Sequence, residues 1–200
     1  MLAGAPDSGA RAIGHAMARN DMDTPDDLPR GLEERLGAAA FRYLDRYETS
    51  IANLHRILIR RAEKLGAPAD PRVAAIIGTL LARLQGQGLI DDRRYARMKA
   101  RSLLRRGRSR PAIVAWLRQK GVAAEIVGEA LEALDEAFGD SELIAIAVFA
   151  RRRRLGPFST GDGDGDKTLA AFARAGFSYE LTKKLLAMSR ETVDRTLSAV

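Results

Sequence analysis

The amino-acid sequence predicts an all-α fold in which three tandem three-helix units form an elongated, curved array. From Ala38 onward, apolar residues recur at spacings of three and four, which is typical of helices that bury one face. We find no convincing run of the alternating apolar and polar residues that mark a half-buried strand. Hydrophobic residues make up 46% of the chain but aromatic residues only 6%, so the core must consist mainly of aliphatic side chains.

The first unit is predicted to span residues 36–88 and to hold three helices. One helix runs from about Leu36 to Tyr47. The next starts after Thr49 or Ser50, either of which is a good N-cap, and the third ends at a pair of glycines. The apolar faces of the three helices are, in order, Phe41, Leu44 and Tyr47; Ile51, Leu54, Ile57 and Leu58; and Val73, Ile76, Ile77, Leu80, Leu81 and Leu84.

The second unit is predicted to span residues 89–138. Asp91 or Asp92 caps its first helix, which runs to about Arg105, and Ser109 caps its second. That second helix ends where Lys120 precedes a glycine, a basic residue followed by a residue that tolerates the left-handed conformation. The third helix carries the apolar residues Ile126, Val127, Ala130, Leu131 and Leu134.

The third unit is predicted to span residues 139–200. Its helices cover about Ser141 to Arg154, Asp166 to Ala175 and Tyr179 to Leu186, with a last short helix to the C-terminus. The Gly-Asp repeat before the second of these is predicted to be a flexible loop whose Asp166 caps the helix. A calcium-binding loop beginning at Asp162 is rejected, because its sixth and twelfth positions hold Lys and Ala instead of Gly and Glu.

The three units show a weak internal repeat. Superposing Ser50 on Ser109 aligns the apolar positions of two helices, and superposing Gly121 on Gly176 aligns another pair, with a period of roughly 55–60 residues. Chance periodicity among helical segments is the alternative explanation. Units this small would be unstable alone, so they are expected to stack on one another.

Residues 1–35 are predicted to be a largely disordered acidic tail, with a turn of helix near Ala10–Arg19. They hold four Arg against seven Asp or Glu; since the whole chain carries +7, the remainder carries about +10. A basic body of this kind suggests a polyanionic partner, although charge alone could also serve solubility. The tail could compete weakly for the same surface.

Composition and motifs exclude several classes of protein. The chain has no cysteine, so disulfides, thiolate metal sites and cysteine nucleophiles are absent. It has no long apolar stretch and no secretory signal, which predicts a cytoplasmic protein without a membrane segment. His15 and His55 have no partners at metal-ligand or catalytic spacing, and no phosphate-binding Gly-rich loop is present. We therefore expect neither an enzyme nor a bound metal or cofactor.

The charge pattern of the second unit is its most informative feature. From Arg93 to Lys120 the chain has eleven basic residues and no acid, whereas residues 121–140 have six acids and no base. Arginines at spacings of three and four form one stripe, and like charges at that spacing repel. A polyanion or an acidic protein surface would relieve this repulsion, and so would the acidic third helix of the unit if it folded back. The candidate partner-binding residues are Arg94, Arg97, Arg101, Arg105, Arg108, Arg110, Arg118 and Lys120, joined by the second basic run Arg151, Arg152, Arg153 and Arg154.

Trp116 has two interpretations. Its ring could stack on a base, but its register with Ile113 and Leu117 favours a core position.

Several motifs together resemble the RecX family of regulatory proteins. The central one is Gly88-Leu-Ile-Asp-Asp-x-x-Tyr-Ala, followed by Gly107-x-Ser-x-x-x-Ile-x-x-x-Leu-x-x-Lys-Gly-Val. Upstream are Ala40-x-x-Tyr-Leu and Leu54-x-x-Ile-Leu-x-x-Arg, and downstream Ala150-Arg-Arg-x-x-x-Gly-x-Phe and Leu169-x-x-Phe-x-x-x-Gly-Phe-Ser-Tyr. The likeness covers about Ala38 to Leu186, and each motif alone is degenerate.

This resemblance implies a protein of tandem three-helix repeats that binds the RecA nucleoprotein filament. It implies restraint, mainly inhibition, of the recombinase, ATPase and coprotease activities in DNA repair and the SOS response. Weaker direct contact with single- or double-stranded DNA is also implied, and we expect a monomer. That the arginine stripe faces the filament is an inference from charge, not from the family motif.

Two other functions remain open. A sequence-specific helix-turn-helix regulator would use the fifth helix of the chain to contact base edges, but that helix offers only Arg110, Arg118 and Gln119. A general DNA-binding or architectural protein would use the same basic surface.

Overall fold

The computed structural model describes residues 28–67, 70–160 and 165–198. The predicted disorder of residues 1–27, the helical turn near Ala10–Arg19 and the loop at residues 161–164 lie outside these ranges. The described residues form ten α-helices and one short 3-10 helix, without a strand. The α-helices are α1 (Leu32–Leu44), α2 (Ile51–Lys64), α3 (Pro71–Gly86), α4 (Asp92–Leu104), α5 (Arg110–Gln119), α6 (Ala124–Phe138), α7 (Ser141–Arg153), α8 (Gly165–Arg174), α9 (Tyr179–Leu186) and α10 (Arg190–Leu197).

The predicted all-α fold of three-helix units is confirmed. Helices α1–α3 make unit 1, α4–α6 make unit 2, and α7–α10 with the 3-10 helix Gly156–Phe158 make unit 3. Within unit 2, α4 packs along α6 and α5 contacts both of them. In the part of the chain that the structure describes, no helix is long and apolar enough to cross a membrane.

The start and the buried face of α1 differ from the prediction. The helix begins at Leu32, so residues 32–35, assigned to the tail, are helical. Leu32 and Leu36 are both buried one turn apart, and acidic residues in the first turn favour the positive end of the helix dipole. Phe41 and Tyr47 instead remain about half exposed, at 49% and 56%.

Three of the predicted caps take different roles in the structure. Asp91 caps α4 by accepting hydrogen bonds from the backbone N–H groups of its first turn. Asp92 instead accepts a 2.9 Å hydrogen bond from the backbone N–H of Ile51 in unit 1. Ser109 precedes α5 in extended conformation but makes no side-chain cap, and Asp166 lies inside the first turn of α8 instead of before it. Side chains placed for capping are therefore partly used to connect units.

Two separate clusters of buried apolar residues form the core. One belongs to unit 1 and extends from Leu32 to Ile90, so it includes a residue that the predicted division placed in the second unit. The other extends from Tyr95 to Leu197 and is shared by units 2 and 3. The chain therefore consists of one small core and one larger core that joins two units.

The same polar contact connects each unit to the next. The Ser109 hydroxyl donates a 2.7 Å hydrogen bond to the carbonyl of Ala175, at the end of α8. In the same way, the Ser50 hydroxyl donates to the carbonyl of Lys120, at the end of α5. These are the positions that the weak internal repeat superposes, so the repeat in sequence is also a repeat of the joint.

Glycines with positive φ allow the close approach at both joints. A Cβ on Gly121, at φ +79°, would collide with the Cβ of Ala52, and one on Gly176, at φ +86°, would lie 2.8 Å from the Ser109 hydroxyl. Any other residue would both strain the backbone and push the units apart.

Candidate partner and nucleic-acid interface

The acidic face of α6 neutralises part of the basic unit. Arg93 forms a 2.7 Å ion pair with Glu129, and Arg110 forms a 2.8 Å ion pair with Asp135. The internal pairing considered as an alternative to partner binding therefore occurs, but within the described ranges it involves two arginines of this basic run. Of these two, only Arg110 is among the candidate partner-binding residues.

Four further arginines on α4 and at its C-terminal end form a surface that we call the outer face: Arg94, Arg97, Arg101 and Arg105. Arg94 approaches Glu48 of unit 1 at 3.7 Å and donates to the carbonyl of Gly88. The Arg101 guanidinium lies 5.9 Å from the ring centroid of Phe138. Within the described residues, the other two make no ion pair, and all four are exposed. This surface is therefore basic and only weakly neutralised.

A second basic surface is a groove between units 2 and 3, which we call the interunit groove. It consists of two adjoining cavities of about 660 and 420 Å³ that share Arg108, Phe149, Arg153 and Ala175. The other residues that line it are Leu103, Arg106, Gly107, Trp116, Arg152, Leu155, Ala171 and Arg174. Five arginines thus surround two aromatic rings in a concave site.

The outer face and the interunit groove lie on opposite sides of α4. Leu103 and Arg106 line the groove, and Lys99, one turn before Leu103, lies beside the groove's tryptophan. Arg97 and Arg101 come two residues before Lys99 and Leu103, and two residues turn an α-helix by about 200°. The structure therefore separates Arg108 from the rest of the predicted stripe and places it in the groove.

The remaining predicted residues are distributed around these two surfaces. Arg152 and Arg153 line the groove, and the Lys120 ammonium lies 5.6 Å from the ring centroid of Trp116. Arg118 and Arg151 are exposed but line neither cavity. Arg154 ends α7 in the left-handed conformation, and it is the one non-glycine residue with positive φ in the described ranges.

Sequence reasoning missed four residues at the groove: Lys99, Arg106, Phe149 and Arg174. The first two belong to the acid-free run, and their spacing from Leu103 marks a second helix face that the search for one stripe overlooked. Arg174 comes from unit 3, at the end of α8, and only the packing of the units brings it near α4. For Phe149, the one signal was its position just before the four-arginine run.

Electrostatic effects on the acids differ between the two ends of unit 2. Partial burial raises the pKa of Asp92, outweighing the hydrogen bond from the Ile51 N–H that lowers it; neighbouring Asp91 raises it further. For Asp135, burial opposes ionisation, but hydrogen bonds from Ser141 and Arg110 outweigh it and lower the pKa. Burial raises the pKa of Tyr95 to about 12.

No arrangement of side chains in the described ranges is suited to hold a metal ion, as no three His, Asp or Glu side chains come together for that purpose. His55 lies partly buried on α2, and His15 is outside the described residues. The chemistry that the arrangement offers is the binding of anions.

Comparison with known proteins gives concordant results. The family model described as the second three-helix domain of RecX matches residues 91–131, which include α4 and α5 and the first half of α6. The protein named "Regulatory protein RecX" of Myxococcus xanthus (strain DK1622) is 41% identical over 155 residues, which cover 74% of this chain and 82% of the relative. The protein of the same name in Agrobacterium fabrum (strain C58) is 31% identical over 164 residues, covering 80% and 86%.

Solved structures show the same fold. The crystal structure of RecX from Lactobacillus salivarius superposes with a TM-score of 0.58 at 18% identity, over 84% of this chain and 98% of that one. A second crystal structure, of a regulatory protein RecX, gives the same TM-score at 19% identity. At these identities the likeness concerns the fold alone.

Proposed function

The chain belongs to the RecX family of regulatory proteins, and on that premise we propose that it regulates a RecA recombinase by binding the RecA nucleoprotein filament. The observation that carries the proposal is the 41% identity to a regulatory protein RecX over most of both chains. The proposed effect is mainly inhibition of the recombinase, ATPase and coprotease activities of RecA, in DNA repair and the SOS response. The protein acts by binding and not as an enzyme, as a monomer in the cytoplasm.

The outer face of α4 is the surface that we assign to the filament. Like charges at one-turn spacing repel by a few tenths of a kcal/mol per pair, and three of these arginines, Arg97, Arg101 and Arg105, have no acidic partner among the described residues. A filament that carries nucleic acid supplies phosphates, and contact with them releases counterions. Two acids of α6, Glu129 and Asp135, are paired with Arg93 and Arg110 instead.

Inhibition follows if the protein binds one state of the filament better than the others. A ligand shifts a conformational equilibrium only by its differential affinity for the states involved. A chain of three stacked units can contact neighbouring filament subunits at once, and such contacts restrain the movements that accompany ATP turnover. The RecX chain would therefore slow hydrolysis without touching the nucleotide.

The test is the single-stranded-DNA-dependent ATP hydrolysis of RecA, measured with this protein at substoichiometric and equimolar ratios. Hydrolysis is expected to fall with added protein. The triple substitution Arg94→Ala, Arg97→Ala and Arg101→Ala should raise the concentration for half-inhibition about tenfold, the effect of roughly 1.4 kcal/mol of lost contacts, with unchanged helix content.

A matched control removes the same charge from unit 1. The variant Arg42→Ala, Arg60→Ala and Arg61→Ala, whose side chains are all exposed, should inhibit like the parent protein. Equal weakening in both triple variants would mean that bulk charge is responsible, and intact inhibition in the α4 variant would place the interface elsewhere, first at Arg151–Arg154. No inhibition at any ratio, together with salt-sensitive binding to naked DNA, would instead favour a general DNA-binding protein.

A further inference from the structure

The interunit groove has the charge of an anion-binding site. Five arginines line it, and no acid does among the described lining residues: Arg106, Arg108, Arg152, Arg153 and Arg174. None of these five forms an ion pair within the described parts of the chain. We propose that this groove is the site at which the chain binds nucleic acid apart from the filament: one strand lies along it, with phosphates on the arginines and bases stacked on Trp116 and Phe149.

The choice of arginine favours phosphate as the anion. A guanidinium presents a planar set of donors that matches two phosphate oxygens, and it also stacks on aromatic rings. The second property is visible here, since the Arg153 guanidinium lies 5.9 Å from the Phe149 ring centroid, and Arg152 is held by a 2.9 Å hydrogen bond that it donates to the Arg106 carbonyl. The arginines are thus partly oriented before any ligand arrives.

The aromatic rings supply a surface for bases. Trp116 is partly buried, packs beside Tyr95, and has the ammonium groups of Lys99 and Lys120 at 6.0 and 5.6 Å from its ring centroid. Phe149 is also partly buried and rests on Phe172 at 5.6 Å. Stacking of a base on such a ring contributes about 1–3 kcal/mol with little sequence preference, which is how single-strand-binding grooves obtain affinity.

The concave shape selects a single strand over a duplex. The common motifs that read duplex DNA insert a protruding helix or ribbon into a groove of the DNA. Here the protein supplies the groove, and Gly107 forms part of its wall, where a Cβ would lie 2.7 Å from the backbone nitrogen of Phe149. An acidic peptide could satisfy the arginines, but it would leave the two aromatic rings without a planar partner.

The two walls of the groove come from units that are packed together. Units 2 and 3 share a core, and the hydrogen bond from Ser109 to the Ala175 carbonyl lies beside the groove residue Gly107 in the chain. A site on a shared core needs little ordering when a ligand binds, so more of the contact energy appears as affinity. The groove is therefore built on the most firmly joined part of the molecule.

The experiment uses the full chain without RecA, so its result is independent of the proposed function. The single tryptophan of the sequence lies in the groove, and its fluorescence reports stacking directly. Titration with a 20-nucleotide oligodeoxythymidylate is expected to quench this fluorescence by more than half. An abasic oligonucleotide of the same length should bind more weakly and quench little.

Two double variants that change the net charge by the same amount test whether the groove is the binding site. Arg108→Glu with Arg153→Glu should weaken oligonucleotide binding more than tenfold by fluorescence anisotropy and lower the salt dependence of log K by about 1.4, since each lost phosphate contact removes about 0.7. Arg97→Glu with Arg105→Glu, on the opposite side of α4, should weaken it less than threefold. Circular dichroism checks that both variants keep their helix content.

Four outcomes would overturn the proposal. These are saturable binding without tryptophan quenching, equal loss of affinity in the two double variants, tighter binding of a duplex than of the single strand, and displacement of the oligonucleotide by an equally charged oligoglutamate at similar concentration. An oligouridylate of the same length tests whether the groove binds RNA as well as DNA. Equal affinity for it would extend the site to RNA, and weaker binding would restrict the site to DNA, with either result supporting the groove.

Discussion

The joint between units 1 and 2 and the joint between units 2 and 3 share one hydrogen bond and differ in what lies beneath it. In both, a serine before the second helix of one unit donates to the carbonyl at the end of a helix in the next. The second joint lies over a core that units 2 and 3 share, whereas unit 1 keeps its own core. The hydrogen bond sets the geometry of stacking, and burial of apolar surface decides whether two units behave as one.

Further polar contacts strengthen the first joint. Asp92 accepts from the Ile51 N–H, and Arg56 donates to the carbonyl of Gln119 at 3.2 Å. Such contacts contribute about 0.5–1.5 kcal/mol each, less than a well-buried aliphatic side chain. Unit 1 is therefore expected to unfold separately from units 2 and 3, and three predictions test this difference.

The largest effect on stability is expected from truncating one buried side chain in each core. Phe172→Ala, in unit 3, should cost about 3–5 kcal/mol and shift the urea transition of Trp116 fluorescence, although the tryptophan lies in unit 2. Leu58→Ala, in unit 1, should cost about 2–5 kcal/mol, lower an early transition in circular dichroism and leave the Trp116 transition in place.

Phe41→Ala is the matched control for these core variants, because that side chain is half exposed. It should leave both transitions in place. A single transition that shifts by the same amount in Phe172→Ala and Leu58→Ala would show that the three units unfold as one and would remove the distinction between the joints.

A smaller effect is expected from adding one methyl group at two glycines. Gly88→Ala and Gly107→Ala both place a side chain at positive φ, which costs about 1 kcal/mol. A Cβ at Gly88 meets nothing within 4 Å, whereas one at Gly107 meets the backbone of Phe149 in unit 3. Gly107→Ala should therefore cost about 2 kcal/mol more. Equal losses of stability in chemical denaturation would mean that the second joint can open without cost.

The smallest effect is a difference in pH dependence. Asp92, at the first joint, has a raised pKa. Its protonated carboxyl therefore stabilises the fold below the ordinary pKa of 3.8, and this stabilisation is lost as pH rises through the pKa of the folded state. The pKa of Asp135, which Ser141 of unit 3 and Arg110 contact, is lowered. Its contribution is present above 3.8 and is lost as pH falls through the folded pKa.

Asp92→Asn and Asp135→Asn separate these contributions, since the amide keeps an acceptor but does not ionise. Between pH 3 and 6, the stability of the first variant relative to the parent should rise with pH, and that of the second should fall. Each change is expected to be about 1 kcal/mol or less, because both carboxylates are partly solvated. Parallel pH profiles would contradict the assigned shifts.

Local signals in the sequence predicted most of the helices. Serine and aspartate before apolar periodicity, and glycine after it, placed the start of α2, the end of α3 and both ends of α4, α5 and α7 within a few residues, because caps and periodicity act over one or two turns. The start of α1 was missed, since Leu32 is buried in the core of unit 1, which residues of α2 and α3 help to form. The candidate site was predicted in part: the acid-free run was recognised, but not its division between two sides of α4.

The sequence by itself determined that this chain is helical, repetitive, basic in its second unit and a member of the RecX family, because periodicity, charge and motifs are properties of neighbouring residues. Only the tertiary structure decided how those charges are used. Packing of α6 on α4 and α5 paired Arg93 and Arg110 with acids, and packing of unit 3 on unit 2 turned Arg108, Arg153 and Trp116 into one groove. The physical reason is that ion pairs and concave surfaces require side chains far apart in sequence to be brought together, and here the shared core of units 2 and 3 does this.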